Sequence, residues 1–320
     1  MQKKAHYLHQ RLEFLNIEPE SITKDVQLKD DDGKLTPYTI NHFSTHGQDI
    51  RIHYHELSGM PMFNHRKRTS SFHASSEFTE AHYRVRRHPN KVTEGSPKYI
   101  QPRGTKLRPY LNGLIQFYGE QLHTIKTVYI SEGEFKAFVG CMHDVATIGA
   151  GGINAFYLAH RDKFERVIKT TFLPEIVEAL NMMPNLERII LLHDSDACEG
   201  SEERRNSFFH SVRSFSYCVK EYNHQRGDIR APHVEAEYWK NDHPTLKGLD
   251  DLLNGEPHAI DDFKGEVADF HTKHVLYTKN DGGADVIERF KMLRQWFGLR
   301  IGGHRIDFDG ATFNVQRWLS

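Results

Sequence analysis

Cysteine is scarce in this chain: three in 320 residues, Cys141, Cys198 and Cys218, with no C-x-x-C pair among them. That leaves no basis for a disulfide framework or a structural zinc site. Long apolar runs are missing as well. Hydrophobic residues make up 38% of the chain, and no stretch approaches the roughly 18 apolar residues of a membrane helix, so no membrane partner is expected. The start, Met1-Gln2-Lys3-Lys4, leads into Ala, His and Tyr rather than an apolar segment, so no secretory leader is expected and the chain reads as cytoplasmic. No G-x-x-x-x-G-K-S/T occurs, which excludes a P-loop motor, and there is no internal repeat or low-complexity tract. Net charge is also nearly absent, at −1.

What the chain does have is an uneven distribution of that charge. Between Arg51 and Tyr110 there are 12 Lys/Arg against 4 Asp/Glu, and between Asp250 and Asp269 there are 7 acidic residues against 1 basic. Such asymmetry points to one surface that meets a polyanion, the alternative being a solvated basic loop. The texture divides the chain into an N-terminal helical segment (1–34), a basic β-rich α+β module (35–115), an α/β domain (116–256) and a small α+β C-terminal region (257–320) that reads equally as a small docking domain or as the start of a longer polypeptide. Within these, Ile50–His55 followed by Met60–Phe63 reads as a hairpin, and His82–Arg87 as a further strand. A helix is expected over Gly283–Phe297 and a hairpin over Gly302–Phe313.

From Lys126 onward, short apolar runs alternate with helical stretches. Thr127–Ser131, Val145–Ile148, Arg188–Leu192 and His233–Tyr238 read as strands; Glu134–His143, parts of 160–183 and 200–224 read as helices. The pattern implies a mainly parallel four-stranded sheet covered on both faces. In such sheets functional groups stand just past the carboxyl ends of strands. Here one strand ends in Glu132-Gly133 and another runs into Asp194-Ser-Asp196. Side chains two apart in an extended chain point the same way, so Asp194 and Asp196 can face one site with Glu132. Three convergent carboxylates make a hard oxygen site suited to Mg²⁺ or Mn²⁺, and Gly133 permits the sharp turn into the next helix. The plainer alternative is a helix cap at Glu132 and an Asp pair that merely opens a helix. Asp250 and Asp251, in Lys247-Gly-Leu-Asp250-Asp251-Leu-Leu253, likewise read on their own as an ordinary helix opening.

Residues 126–253 resemble a Toprim domain, the metal-binding α/β module shared by bacterial DNA primases, topoisomerases and some nucleases. The matching positions are Glu132 in Ser-Glu-Gly-Glu-Phe-Lys-Ala137, the strand end Ala146-Thr-Ile-Gly149, and Asp194/Asp196. Upstream, Pro97-Lys98-Tyr99-Ile-Gln-Pro102-Arg-Gly104-Thr resembles the Lys-Tyr segment preceding the Toprim domain of primases, which topoisomerases and nucleases lack. The combination resembles the primase-like Toprim proteins of phages, plasmids and other mobile genetic elements, where Lys-Gly-x-Asp-Asp also recurs. It covers residues 50–253, about two thirds of the chain. Two departures stand out: Lys136 occupies a position that is usually acidic, and the zinc module and helicase motor of the larger primases have no counterpart.

The resemblance implies a DNA primase-like nucleotidyltransferase acting in DNA replication, with single-stranded DNA and nucleoside triphosphates as partners and a separate replicative helicase as a further one. It assigns Glu132, Asp194 and Asp196 to catalysis and metal binding, Asp250 and Asp251 to a second metal, and Lys247 to phosphate. Lys98, Tyr99, Arg103 and Lys106 would line the facing wall, with Arg66, Lys67, Arg68, Arg84, Arg86 and Arg87 extending a DNA-binding groove. The same carboxylates serve phosphodiester cleavage equally well, and a non-catalytic module that binds nucleic acid and recruits a replisome is the third reading. The 22 histidines do not supply zinc-ligand spacing: His53 and His55 share a strand face and Cys141 sits near His143, but neither has a matched second pair. His193 is expected to point to the face of its strand opposite Asp194.

Overall fold

The computed structural model describes residues 5–29, 32–70, 73–165, 167–194, 202–226, 235–240, 248–255, 300–301 and 304–305. Helix α1 (Tyr7–Phe14) opens the chain with Leu8 and Leu12 on its buried side. Strands β1 (Thr23–Lys29) and β2 (Leu35–Asn41) follow as an antiparallel pair. β1 therefore lies inside the stretch read from sequence as helical; Lys24, Val26 and Leu28 form its half-buried face at a strand's period of two, alternating with exposed residues. Next come β3 (Phe43–His46) and β4 (Asp49–His53), then a separate hairpin of β5 (Phe63–Ser70) and β6 (His73–Ala81). β7 (Tyr83–Arg86) and β8 (Tyr99–Ile100) complete an antiparallel sheet in the order β3-β4-β7-β8.

The hairpin expected of Ile50–His55 and Met60–Phe63 is present only at its closing end: His55 and Pro61 form an antiparallel bridge, the Met62 amide donates to the Tyr54 carbonyl at 2.9 Å and the Glu56 amide to that of Met60 at 2.8 Å. β4 pairs with β3 on one edge and β7 on the other, and Ile50 and Ile52, two apart on one face, are fully buried while Asp49, Arg51 and His53 on the other are half-buried.

Helix α2 (Asn112–Phe117) leads into β9 (Thr127–Glu132), α3 (Glu134–Met142) and β10 (Thr147–Ala150). Then come β11 (Tyr157–Arg161), β12 (Val167–Phe172), α4 (Pro174–Asn181), β13 (Arg188–His193), α5 (Glu202–Arg226), β14 (Glu235–Lys240) and α6 (Leu249–Gly255). β10, β9, β13 and β14 lie side by side, all parallel, so the chain is a mixed α/β protein carrying a four-stranded parallel sheet as well as antiparallel ones. The interior residues of β9, β10 and β13 are buried on both faces, as their continuous apolar sequences require. Right-handed crossovers carry α3 to one face and α5 to the other.

Residues 160–172 were expected to be helical and are not: β11 and β12 form an antiparallel hairpin. Val167, Ile168, Thr170 and Thr171 are β-branched and lose side-chain freedom in a helix, and only α4 beyond them keeps the helical period. The helix and hairpin expected in the C-terminal region lie outside the described residues, except that the two-residue strands β15 (Arg300–Ile301) and β16 (His304–Arg305) pair antiparallel.

One continuous apolar cluster runs from Leu8 through Phe43, Phe135 and Leu192 to Leu253. Phe43 of the antiparallel sheet stacks on Phe135 of α3 with ring centroids 4.4 Å apart, which presses the basic strands against the carboxyl edge of the parallel sheet. Among the described residues no helix is long and apolar enough to cross a membrane.

Candidate active site at the carboxyl edge of the parallel sheet

Glu132 is the last residue of β9, and Asp194 is the first after β13. The two strands are neighbours, Leu192 lying beside Ser131, so both carboxylates leave the same sheet edge. Between them the chain turns at Gly133, whose φ of 104° and ψ of 150° belong to a region only glycine occupies without strain. The turn starts α3 at once and sets Lys136 in its first turn, where its ammonium is paired with Asp194 Oδ1. Burial would lower the lysine's proton affinity, but Asp194, Asp250 and Glu132 outweigh it and hold the amine above its ordinary pKa. The position where the resemblance leads one to expect an acid thus holds a cation that three acids share.

Asp250 reaches the same place from α6, which packs against α3. Its Oδ2 accepts a hydrogen bond from Arg11 Nη2 at 2.9 Å, and its Oδ1 is buried with no hydrogen-bond partner among the described residues. Asp251 Oδ2 accepts from the Gly248 amide at 3.1 Å, closing the turn that opens α6. Glu132 is half-buried. Burial first, then the Asp194 charge, push its carboxyl above the usual range against the pull of Lys136. Asp250 is raised for the same leading reason. Asp196 and Lys247 lie outside the described residues.

Beside the carboxylates stands a buried network that the sequence did not disclose. Glu134 is 1% exposed; its Oε1 is paired with Arg84 and accepts a hydrogen bond from the Tyr54 hydroxyl at 2.6 Å. Arg84 packs over the Tyr99 ring, 4.9 Å from its centroid, and Arg86 lies 5.4 Å from it. Arg86 also donates to the Tyr99 hydroxyl and, through Nε, to the Tyr7 hydroxyl at 2.9 Å. Arg11 and Arg86 both sit over the Phe135 ring, at 5.6 and 5.5 Å. Lys98 borders the cluster, its amine lowered by burial and then by Arg86, Arg11 and Lys136. Burial and the nearby Glu134 charge hold the Tyr99 hydroxyl protonated well above its usual range. The local cue for Glu134 was its place two residues after Glu132 across a glycine. Arg11, Tyr7 and Tyr54 carried no local cue.

Other expected contacts fall elsewhere. Arg84 and Arg86 are buried rather than displayed on a strand face, because α1 and α3 cover that side of β7. Arg87 donates to the backbone carbonyls of Pro97 and Lys91, tying down the loop before β8. Arg103 and Lys106 are exposed on the loop that follows β8. Arg66, Lys67 and Arg68 lie on β5, in the hairpin outside the β3-β4-β7-β8 sheet.

No protein-family model and no curated protein matches the chain. Among solved structures it is similar to the zinc-binding and RNA polymerase domains of the Aquifex aeolicus primase, with 10% identity and a TM-score of 0.41 over 83% of this chain. The chain spans 56% of the length of that one. A likeness of that size assigns no family, and none is assigned.

Four histidines, His42, His55, His82 and His193, are buried among the described residues. Asn112 Oδ1 accepts from the His55 amide at 3.0 Å, which orients the side chain, and its Nδ2 donates to the His53 carbonyl at 3.0 Å while facing His42 Nδ1 at 3.0 Å and His55 Nδ1 at 3.1 Å. His193 packs under α5 against Phe208, its Nε2 3.1 Å from Ser211 Oγ. Burial, then Lys136, lowers its pKa to about 3. Cys141 accepts from the Thr147 amide, and burial pushes its thiol up to about 12. Cys198 lies outside the described residues.

Oxygen donors of this kind suit Mg²⁺ or Mn²⁺ in chemistry. Burial raises the Glu132 carboxyl, and Asp250 Oδ1 is buried with no hydrogen-bond partner among the described residues. Among the described residues fewer than three such side chains come close enough together to hold an ion.

Proposed function

We propose that the carboxyl edge of the parallel sheet carries primase-like nucleotidyl transfer on a single-stranded DNA template. The observation that carries this reading is the juxtaposition of Glu132, Asp194 and Asp250 with a wall of Arg11, Arg86 and Lys98. Anionic donors for a hard cation and fixed cations for phosphate oxygens then stand together at one sheet edge, as phosphoryl transfer requires. Supporting it are the Lys98-Tyr99 segment beside that edge and the resemblance of residues 126–253 to a Toprim domain. Glu132 and Asp194, with Asp196 beyond the described residues, would hold Mg²⁺ or Mn²⁺; Asp250 and Asp251 would support them. When bound, the ion neutralises charge on the phosphoryl oxygens and acidifies the attacking 3′-hydroxyl.

The chain's own residues divide the remaining work. Lys98 would meet an incoming phosphate, since its charge is disfavoured by burial and by Arg86 and Arg11 and an anion would relieve it. Tyr99, whose ring lies under Arg84 and Arg86 and whose hydroxyl accepts from Arg86, would hold both guanidinium groups in place. Glu134 and Tyr54 fix Arg84 from the other side, so the wall is rigid before substrate arrives.

The test is a gel assay on single-stranded DNA with labelled nucleotides and Mg²⁺ or Mn²⁺, wild type beside Asp194→Ala. Short products that require nucleotides and disappear in the variant are expected. Template shortening without nucleotides, also lost in the variant, would replace this reading with a nuclease. DNA binding with neither activity, unchanged in Asp194→Ala, would replace it with a non-catalytic binding module.

A further inference from the structure

The β5–β6 ribbon is the element of the basic module that the sheet-edge site leaves without a role. Among the described residues its two strands pair only with each other, in register from Phe63 opposite Ala81 to Arg68 opposite Ser76. A two-stranded ribbon is at best marginally stable alone in water and gains from a partner. Its base is pinned. The His82 amide donates to the Met62 carbonyl at 2.6 Å, His82 Nδ1 lies 3.1 Å from Asn64 Oδ1, and Arg108 Nη2 donates to the Phe63 carbonyl at 3.2 Å. Only His82 separates β6 from β7, the strand of Arg84 and Arg86, so the ribbon and the arginine wall are one run of chain.

Register sorts the ribbon's charges by face. Lys67 stands opposite Glu77, which cancels the charge of that face. Arg66, opposite Phe78, and Arg68, opposite Ser76, share the other face. The acid of that face, Glu80, stands opposite Asn64 at the pinned base. Beyond the base, the face carries two cations about 7 Å apart, the rise of two residues, and no acid.

We infer that the Arg66–Arg68 face of the ribbon binds the phosphates of a nucleic-acid duplex, the template paired with its growing strand, as it leaves the sheet-edge site. This rests on the primase-like reading, under which a single strand enters and a duplex departs. The 8 residues of β5 span about 27 Å, most of the roughly 34 Å turn of a duplex. A duplex holds its phosphates at fixed spacing, so two guanidinium groups on paired strands meet them without first ordering a flexible partner. A single strand is gripped differently, by a groove with aromatic faces on which successive bases stack. Phe78 is the one aromatic that the register places beside the two arginines.

The experiment is fluorescence anisotropy of the full chain with a labelled DNA duplex and, separately, one of its strands alone. A chelator is present, so that neither a divalent ion nor turnover enters the reading. Wild type is compared with the double variant Arg66→Gln/Arg68→Gln. The control is Lys29→Gln/Lys34→Gln, which removes the same charge from exposed positions of the β1–β2 hairpin, with melting curves to confirm folding. The ribbon variant is expected to bind duplex roughly ten- to a hundred-fold more weakly near ~0.1 M salt, with the slope of log affinity against log salt smaller by about 2. Its single-strand affinity is expected to stay at that of wild type, and the control to match wild type on both. Undiminished duplex binding, an equal loss on single strand, an equal loss in the control, or a wild type that binds no duplex would each overturn the inference. None of these outcomes touches the primase-like reading, which stands or falls on nucleotide-dependent products and their loss in Asp194→Ala. Hydrogen exchange on wild type alone guards against a misfolded variant. Backbone amides of residues 63–81 are expected to exchange more slowly once duplex is added and to be unmoved by single strand. Exchange there that is unchanged at saturating duplex would overturn the grip.

Discussion

Mild acid should unfold this protein, and the interior histidines set how steeply. Burial lowers His42, His53, His55 and His82 to about 4 each, from an ordinary value of 6.5. The geometry gives the reason for two of them. Asn112 is oriented by the His55 amide so that its amino group, which donates to the His53 carbonyl, also faces Nδ1 of both His42 and His55. A proton on either nitrogen would face N–H against N–H. The folded state thus holds these rings neutral while the unfolded chain takes up protons below about pH 6.5, so their contribution is complete above that value and is lost as pH falls toward 4. At about pH 5.5 each ring costs about 1.4 kcal/mol, and four cost about 5 kcal/mol, which rivals the 5–15 kcal/mol by which a typical domain is stable. Glu132, Asp250 and Glu56 are raised by burial and act in the opposite direction, at the acid end of this window. The assay is urea denaturation followed by circular dichroism between about pH 7.5 and 5.5. A fall of several kcal/mol is expected, and His55→Leu should flatten the slope by about one proton, roughly 1.4 kcal/mol per pH unit. An unfolding midpoint that does not move across that range would refute the assignment of neutral, buried rings.

Two further outcomes follow from the site's scaffold. Arg84→Met should destabilise by about 3–5 kcal/mol in chemical denaturation, because Glu134 would be left charged and buried with only Tyr54 to answer it. The double variant with Glu134→Leu should recover most of that loss, and failure to recover would show that the pair is not coupled. Gly133→Ala should cost about 1–3 kcal/mol through its backbone angles alone, since nothing stands within 4 Å of where the Cβ would be. A neutral result in the same assay would mean that the turn into α3 relaxes.

How much of this was legible follows the range of each cause. Thr127–Ser131 and Arg188–Leu192 announce buried strands because the apolar run that makes them strands is contiguous, and a strand's end is a local fact. Glu132 and Asp194 could therefore be placed at a sheet edge from the sequence, and the structure puts them there. The 160–172 stretch was misread because its β-branched residues compete with a helical period that is real only from Pro174 onward. Tyr83-Arg-Val-Arg86 alternates like a half-solvated strand, and that pattern is silent on what covers its polar face. Two outside elements, α1 and α3, turn Arg84 and Arg86 into interior residues.

By itself, then, the sequence determined the strands of the parallel sheet, the two acids at their ends and the glycine that turns the chain between them, since each depends on neighbours a few residues away. Only the tertiary structure decided that Lys136 answers Asp194 across 58 positions, Arg11 answers Asp250 across 239, and Arg84 answers Glu134 across 50. Such pairings depend on which strands lie side by side and where the first helix packs. That is settled by the burial of one apolar cluster running from Leu8 to Leu253, and no local pattern records it.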